Sequence, residues 1–235
     1  MYSKLLLGST LLLATPLAKA QDYDWSVTPY LWGIGIEGDA GLGPIQADLS
    51  VSFSDIADVL DGAALVHLEA QREGYGFFGD LAYMSLEPDP ETANVGGQTE
   101  VQFDTTVIEL GYVRKGSRAG LELGVRYLDL DLELRPTTLP AVQRGTDWVD
   151  GFVGVRTSRE LNDKWNFTTR ANIGAGGADF TYGIELTFGR ELESGSQVVA
   201  GFKLLDIDYQ KSSVNGIPFS VDAMFLGGTI GYRFD

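Results

Sequence analysis

Long segments in which apolar and polar residues alternate recur along most of the chain, and this alternation constrains the fold more than any other feature. A β-strand points successive side chains to opposite faces, so the alternation predicts strands with one apolar face. Most of these segments exceed the roughly five or six residues that are usual for strands of globular proteins. A strand tilted across a bilayer needs about 9–11 residues, so the lengths indicate a membrane barrel. The ten predicted strands are 24–37, 62–73, 75–87, 99–113, 119–134, 146–158, 164–175, 178–191, 197–210 and 219–234.

The links between these strands alternate in length. Four of them are short: 73–74, 114–118, 160–163 and 191–196. Four others are longer: 38–61, 88–98, 135–145 and 211–218. Outer-membrane barrels have short periplasmic turns and longer outer loops, so this order predicts an all-β, antiparallel, up-and-down transmembrane β-barrel with both termini in the periplasm. The count becomes eight or twelve strands if the link near Gly176 or the segment 46–53 is placed differently.

The first long link and the first strand carry local irregularities. In the link, SDIADVLD (54–61) has an apolar side, an acidic side and Ser54 as an N-cap, which predicts a short helix in the first outer loop. The preceding QADLSVSF (46–53) is suited to a short strand. Pro29 lacks a backbone N–H and predicts an irregular entry into the first strand.

The first twenty residues, MYSKLLLGSTLLLATPLAKA, predict an export signal peptide. Lys4 supplies the positive start, and Ala18 and Ala20 are small residues at the positions read by signal peptidase. The apolar run between them is shorter than the roughly 20 residues of a membrane-spanning helix. The chain is therefore predicted to consist of a cleaved signal, residues 1–20, and a barrel domain, residues 21–235.

The charge and the absence of cysteine exclude several classes of function. The formal net charge is −16, and such a chain repels nucleic-acid phosphates, so no nucleic-acid partner is predicted. Without cysteine there is neither a disulfide framework nor a thiolate metal site. No cofactor and no metal are predicted.

The faces of the strands favour a membrane barrel over its alternative, a soluble periplasmic sandwich or barrel. WNFTTRANIG (165–174) places Trp165 and Ile173 on one face and Arg170 and Asn172 on the other. Trp25, Trp148 and Trp165 fall near strand ends, where the aromatic girdles of membrane barrels meet the headgroups.

The last strand, AMFLGGTIGYRFD, ends in alternating apolar residues on one face: Leu226, Ile230, Tyr232 and Phe234. It resembles the C-terminal signature of Gram-negative outer-membrane β-barrels, although Asp235 follows the final aromatic residue. With PYLWGIGI near the start, the chain resembles a small, poorly characterised barrel family related to the OmpA- and OmpW-like barrels. The resemblance implies location in the cell outer membrane, contact with its lipid and lipopolysaccharide, and recognition of Tyr232 and Phe234 by the barrel-assembly machinery.

Charged residues of both signs fall on the inward face of the predicted strands. An eight-stranded barrel is just filled by its side chains and a porin channel needs 16–18 strands, so ten strands lie near the filled limit. We therefore predict an ion-paired polar network that fills the lumen, as a structural barrel or a narrow, porin-like passive pore open to small solutes or ions. Its predicted members are His67, Glu69, Asp80, Glu109, Glu122, Arg126, Asp150, Arg156, Arg170, Glu185 and Lys203.

Two similar segments, GVRYLDLDL (124–132) and GFKLLDIDY (201–209), carry acids at alternate positions. In each segment the acids fall on the same face of the predicted strand as the apolar residues that precede them. A β-bulge near Leu128, and another near Leu205, would turn the acids inward; alternatively, the acids stand above the bilayer. In both cases we predict an acidic rim or upper lumen built from Asp129, Asp131, Asp206 and Asp208. Alternate carboxylates also suit a divalent cation, but solvation and ion pairing are the expected state of such residues.

The remaining functional alternatives are an enzyme and a surface receptor. His67 is the only histidine and alternates inward with Glu69, as a base held by an acid would. The serine expected of lipid A deacylases and the paired acids of omptin-like proteases are not found beside it, so no enzyme is predicted. A receptor or adhesin would use the loop 38–61, because the other outer loops are short.

Overall fold

The chain forms one closed antiparallel β-barrel. The computed structural model describes residues 23–42, 45–54, 60–86, 99–136, 142–214 and 217–235. Among these residues there is no helix long and apolar enough to cross a membrane. The predicted signal peptide lies outside the described residues.

Ten long strands build the barrel wall, and one short strand is added to it. In chain order they are β1 (Asp24–Leu42), β2 (Ile45–Val51), β3 (Leu60–Arg72), β4 (Tyr75–Leu86), β5 (Thr99–Arg114), β6 (Gly120–Pro136), β7 (Val142–Asn162), β8 (Trp165–Gly176), β9 (Phe180–Glu191), β10 (Gln197–Val214) and β11 (Ile217–Arg233). From β3 to β11 each strand pairs with the next one along the chain, and β11 pairs with β1 to close the barrel.

The first strand divides its pairing between two neighbours. β1 pairs with β3 only over Asp24–Pro29, and Pro29, opposite Val66, is the last residue in that register. Beyond it, β1 pairs with β2 over Ile36–Leu42 while its other edge stays paired with β11. Val27 exchanges both backbone hydrogen bonds with Phe234 of β11, so the backbone of Pro29, two residues further on, also faces β11. The missing N–H of Pro29 therefore accounts for the gap between this bridge and the continuous β1–β11 register, which begins at Tyr30.

The structure confirms the predicted fold class and all ten predicted strands, with ends that differ by a few residues. The segment 46–53 is present as the short strand β2. The predicted helix over 54–61 is wrong at its end, because Leu60 and Asp61 begin β3. Residues 55–59 of that helix lie outside the described residues.

The two ends of the barrel differ and are named here by their connections. The terminal end carries the start of β1, the end of β11 and four short turns, and Gly74 and Gly195 adopt positive φ in two of these turns. The loop end carries the opposite ends of the strands. Chain direction alternates between these ends, so a strand with an even number, from β4 onward, runs toward the loop end.

The hydrophobic core lies inside the barrel, in the half toward the loop end. Leu128, Ile207 and Ala223 are buried there, and the rings of Trp148 and Tyr209 stack at 4.3 Å. The prediction of Trp148 as a girdle residue is therefore wrong, since its ring points inward. The core cluster consists of Trp32, Ile34, Ile36, Leu65, Ala82, Met84, Leu128, Leu130, Trp148, Ala178, Leu205, Ile207, Tyr209, Phe219, Val221, Ala223 and Phe225.

Two glycines make room for aromatic rings in the other half of the interior. Gly111 and Gly124 face each other across β5 and β6. A Cβ atom at Gly111 would overlap the ring of Phe78, and one at Gly124 would overlap the ring of Phe152. Small residues at this pair of positions therefore allow two phenylalanine rings to lie flat against the wall.

The glycine pair yields a test of this packing. Replacement of Gly124 by valine forces the ring of Phe152 to move, and overpacking of this kind costs about 1–3 kcal/mol. We expect Gly124→Val to lower the free energy of unfolding in urea by that amount. Gly151→Val is the matched control, because Gly151 also lies in a strand but has open space where its Cβ would be. Equal stability of the two variants would contradict the proposed packing.

Candidate functional site

Charged residues line the half of the interior toward the terminal end and form a layer across it. Arg126 and Glu122 are completely buried, and Arg170, Glu109 and Asp80 nearly so. All eleven predicted lumen residues point inward here or at the border with the apolar core. Ten of them join one connected network: His67, Glu69, Asp80, Glu109, Glu122, Arg126, Arg156, Arg170, Glu185 and Lys203.

One side of the network is a chain of arginines and glutamates. Glu69 on β3 accepts a hydrogen bond from Arg156 on β7. The Nε atom of Arg156 donates to Glu122 Oε1 at 2.6 Å, and the Nε atom of Arg170 donates to Glu122 Oε2 at 2.7 Å. Glu122 is thus held between two guanidinium groups. Arg170 also donates to Glu185 on β9 at 3.2 Å, which extends the chain across the lumen.

The other side of the network returns to Glu69 through Lys203 and His67. Lys203 Nζ lies 3.5 Å from Glu185 Oε1 and 2.8 Å from Asp80 Oδ1. His67 Nδ1 lies 3.0 Å from Asp80 Oδ2, and His67 Nε2 lies 3.2 Å from Glu69 Oε1. The contacts therefore close into a ring of eight residues: Glu69, Arg156, Glu122, Arg170, Glu185, Lys203, Asp80 and His67. We refer to these residues as the charge ring.

The charge ring alternates acid and base throughout if His67 carries a proton on both nitrogens. A neutral imidazole has one N–H and one lone pair, and the lone pair would face a carboxylate here. The imidazolium donates to Asp80 and Glu69 at once. The ring then holds equal numbers of positive and negative groups, as a buried network requires.

A second ion pair is attached to the inside of the ring. Arg126 donates from Nε to Glu109 Oε1 at 2.7 Å, from Nη1 to Thr181 at 2.9 Å and from Nη2 to Asn172 at 2.6 Å. Glu109 Oε2 also lies 2.7 Å from Arg170 Nη1, which connects the pair to the ring.

The phenylalanine rings of Phe78 and Phe152 support the guanidinium groups. Arg170 Cζ lies 4.6 Å from the centre of the Phe78 ring, and Arg156 Cζ lies 4.9 Å from the same ring. Arg126 Cζ lies 5.3 Å from the centre of Phe152. Cation–π contacts at these distances favour the desolvated cations. The glycines described above therefore position the network as well as the aromatic side chains.

Asp150 is the predicted lumen residue that lies apart from the network. It accepts hydrogen bonds from Trp148 Nε1 at 3.1 Å and from the backbone N–H of Ala178 at 2.9 Å. The prediction missed two contributors: Tyr30, whose hydroxyl donates to Asp80, and Arg233, which lies 4.0 Å from Glu69. Tyr30 alternates with the inward Thr28 and Trp32, so the period of the first strand could have identified it.

A cavity of about 800 Å³ lies between the charge ring and the terminal end. His67, Glu69 and Arg156 line its inner surface, and Lys115 and Arg118 line its mouth. Its lining residues include none of the buried core residues toward the loop end. The space inside the barrel is thus a vestibule that is open at the terminal end and bounded by the ring and the core.

Of the two predicted placements of Asp129, Asp131, Asp206 and Asp208, an upper lumen or a rim, the upper lumen is wrong, because all four side chains point outward. No bulge occurs near Leu128 or Leu205: β6 keeps one register with β5 and β7, and β10 keeps one with β9 and β11 through Lys211. Leu128 and Leu205 point into the core, so the neighbouring aspartates point outward. The apparent shift of phase has a different cause. At one level of the wall, the outer face changes from apolar to acidic and the inner face changes from charged to apolar.

The outward aspartates form an acidic collar around the loop end. Across neighbouring strands, Asp131 lies opposite Asp104 and Asp129 opposite Asp147. On the other side of the barrel, Asp222 lies between Asp208 and Asp39. In the described part of the chain, no three acidic or histidine side chains are arranged to hold a metal ion. The collar consists of Asp39, Asp104, Asp129, Asp131, Asp147, Asp206, Asp208 and Asp222.

Comparisons with known proteins show distant similarity to bacterial barrel structures. No protein-family model and no curated protein sequence matches the chain. A Pseudomonas aeruginosa FadL homologue is 11% identical with a TM-score of 0.34, over 81% of this chain and 54% of that protein. The chain thus spans about half the length of the FadL homologue.

Two autotransporter domains are similar over most of their length. The beta domain of the Bordetella autotransporter Brka is 14% identical with a TM-score of 0.39, over 91% of this chain and 98% of that one. The translocator domain of NalP from Neisseria meningitidis is 12% identical with a TM-score of 0.38, over 90% and 88% of the two chains. These similarities are remote, and the fold assignment rests on the strand pairing described above.

The charge ring predicts a large effect of a small substitution at Glu122. Glu122→Gln removes the charge held between Arg156 and Arg170 while keeping the size of the side chain. Loss of one partner of a buried ion pair typically costs about 3–5 kcal/mol, because the remaining charge is uncompensated. We expect the free energy of unfolding in urea, measured by tryptophan fluorescence in detergent micelles, to fall by roughly 3 kcal/mol or more.

The matched control for this variant is Glu160→Gln on β7. Glu160 is exposed, and surface substitutions usually change stability by less than about 0.5 kcal/mol. An unfolding free energy of Glu122→Gln equal to that of the control would show that the charge ring does not stabilise the barrel.

Proposed function

We propose that this protein is an integral outer-membrane β-barrel with a closed interior, which acts as a structural barrel and not as an open channel. The observation that carries this proposal is an inverted distribution of polarity. Leu31, Leu121 and Ile230 are 66%, 60% and 57% exposed on the outer face, whereas the charged residues of the network are buried inside. Water would disfavour this arrangement, and hydrocarbon outside the wall favours it.

The exposed apolar residues form a band of membrane dimensions. On β5, Asp104 of the acidic collar and the exposed Arg114 bound the outward residues Thr106, Ile108 and Leu110 and the ring of Tyr112. Ten residues of a strand tilted by about 40° cover roughly 25 Å along a barrel axis. This height equals the roughly 25 Å apolar band of outer-membrane barrels.

The core and the charge ring together support a closed interior. The core cluster occupies the half toward the loop end, and the ring connects seven strands in the other half. Passage of a solute would require breaking buried ion pairs and moving packed aromatic rings, both of which are costly. No member of the network is proposed to have a catalytic role, since each charged group already has an oppositely charged partner.

The final strand supports assembly by the barrel-assembly machinery, which we propose as a partner. Tyr232 and Phe234 lie 4.7 Å apart by ring centres, and Phe234 is half exposed. Phe234 also pairs with Val27 of β1 through two backbone hydrogen bonds of 2.9 Å. The last strand thus closes the barrel and also presents an exposed aromatic surface at its C-terminal end.

Electrical recording tests the closed state. We expect the mature protein, refolded into a planar bilayer, to give no steady single-channel conductance, because the ring and the core leave no continuous path. Protection of the barrel from added protease in vesicles of the same lipid shows that silent protein is inserted.

Steady conductance of the inserted protein would overturn the closed interior and would support a narrow passive pore. Complete digestion of the refolded protein in vesicles would overturn membrane insertion itself.

A further inference from the structure

Four arginines mark the terminal edge of the apolar band. Each of β3, β5, β7 and β9 runs toward the terminal end, and each carries an exposed arginine at or near its last residue. Side-chain alternation places all four on the outer face. We name Arg72, Arg114, Arg159 and Arg190 the arginine girdle.

Aromatic and aliphatic side chains separate these arginines around the barrel. In one row of paired residues, Tyr75 stands between Arg72 and Arg114. In another, Arg190 stands between Trp165 and Val198. Arg190 Cζ lies 5.7 Å from the centre of the Trp165 ring, which holds the long side chain along the wall.

The arginines Arg114, Arg159 and Arg190 form no ion pair with the described residues. The buried arginines of the same barrel are all engaged with carboxylates, whereas the guanidinium groups of these three exposed arginines remain available to a ligand. A guanidinium group binds phosphate oxygens in a bidentate manner.

The acidic collar at the other edge of the band shows which leaflet such a ligand would occupy. Asp104 and Arg114 lie on one strand, and Asp147 and Arg159 lie on another. These pairs are ten and twelve residues apart, which is roughly 25–30 Å along the barrel axis. Phosphates are therefore attracted at the terminal edge of the band and repelled at the loop edge.

We propose that the arginine girdle binds the phosphate groups of anionic glycerophospholipids in the leaflet at the terminal end, and so fixes the depth and orientation of the barrel. This inference rests on the proposed membrane insertion. Lipopolysaccharide is not the proposed ligand, because it would meet the acidic collar in the opposite leaflet.

Quenching of tryptophan fluorescence by brominated lipids tests directly whether the girdle prefers anionic to zwitterionic phospholipids. Trp165 lies under Arg190, Trp32 and Trp148 are buried, and Trp25→Phe leaves Trp165 as the only exposed tryptophan of the four. The Trp25→Phe variant is refolded into phosphatidylcholine vesicles that contain a minor share of phosphatidylglycerol. The bromine is carried by one lipid in one sample and by the other lipid in a second sample. Basic residues near an anionic surface contribute enough to give about a fivefold local enrichment of the anionic lipid.

The expected result is stronger quenching of Trp165 by brominated phosphatidylglycerol than its share of the lipid predicts. The variant Arg72→Gln/Arg114→Gln/Arg159→Gln/Arg190→Gln should lose this excess. The control variant Lys115→Gln/Arg118→Gln/Lys164→Gln removes exposed bases of the terminal turns and should keep it. If the fourfold variant does not fold, Arg114→Gln/Arg159→Gln, which removes half of the girdle, should lose part of the excess.

Two other outcomes separate the lipid preference from membrane insertion. Quenching by both lipids in proportion to their shares, or an excess that persists without the girdle arginines, overturns the lipid preference but leaves insertion intact. No quenching by either lipid means that the barrel is not inserted, and both proposals then fail.

Discussion

The charge ring is the interaction on which the rest of this barrel depends. Eight residues from seven strands alternate in sign around the lumen, and each member contacts two partners of opposite charge when His67 is an imidazolium. Buried ions are tolerated only when their partners are in place. The ring therefore makes the correct registers of distant strands depend on one another. A shift of one residue in the register of any of these strands would turn the charged side chain of that strand outward.

The barrel reverses its polarity on both faces near the middle of its wall. Toward the terminal end the interior is charged and the exterior apolar, whereas toward the loop end the interior is apolar and the exterior acidic. The half toward the loop end thus has the polarity of a water-soluble barrel, and the other half has that of a membrane barrel. A wall of this kind suits a protein that is embedded over part of its height and extends into solvent beyond the acidic collar.

Alternation along single strands was sufficient to predict the ten strands and the inward position of the network residues, because each assignment needs only the period of one strand. It was insufficient for Asp129 and Asp206, because a change of surroundings along the wall gives the same sequence pattern as a shift of one residue between the two faces of the strand. Periodicity defines two faces but does not identify the environment of either. The closure of the ring through Lys203 and Asp80 depends on contacts across the lumen. The ladder that Pro29 interrupts, between β1 and β11, depends on which strand closes the barrel, so neither feature follows from local pattern.

The most direct test of the charge ring is the protonation state of His67, measured by ¹⁵N nuclear magnetic resonance of the folded protein at neutral pH. His67 is the only histidine of the chain, so its two ring nitrogens give an unambiguous pair of signals. We expect both nitrogens to be protonated, with hydrogen bonds to Asp80 and Glu69. A neutral ring with one unprotonated nitrogen would contradict a closed network of alternating charge.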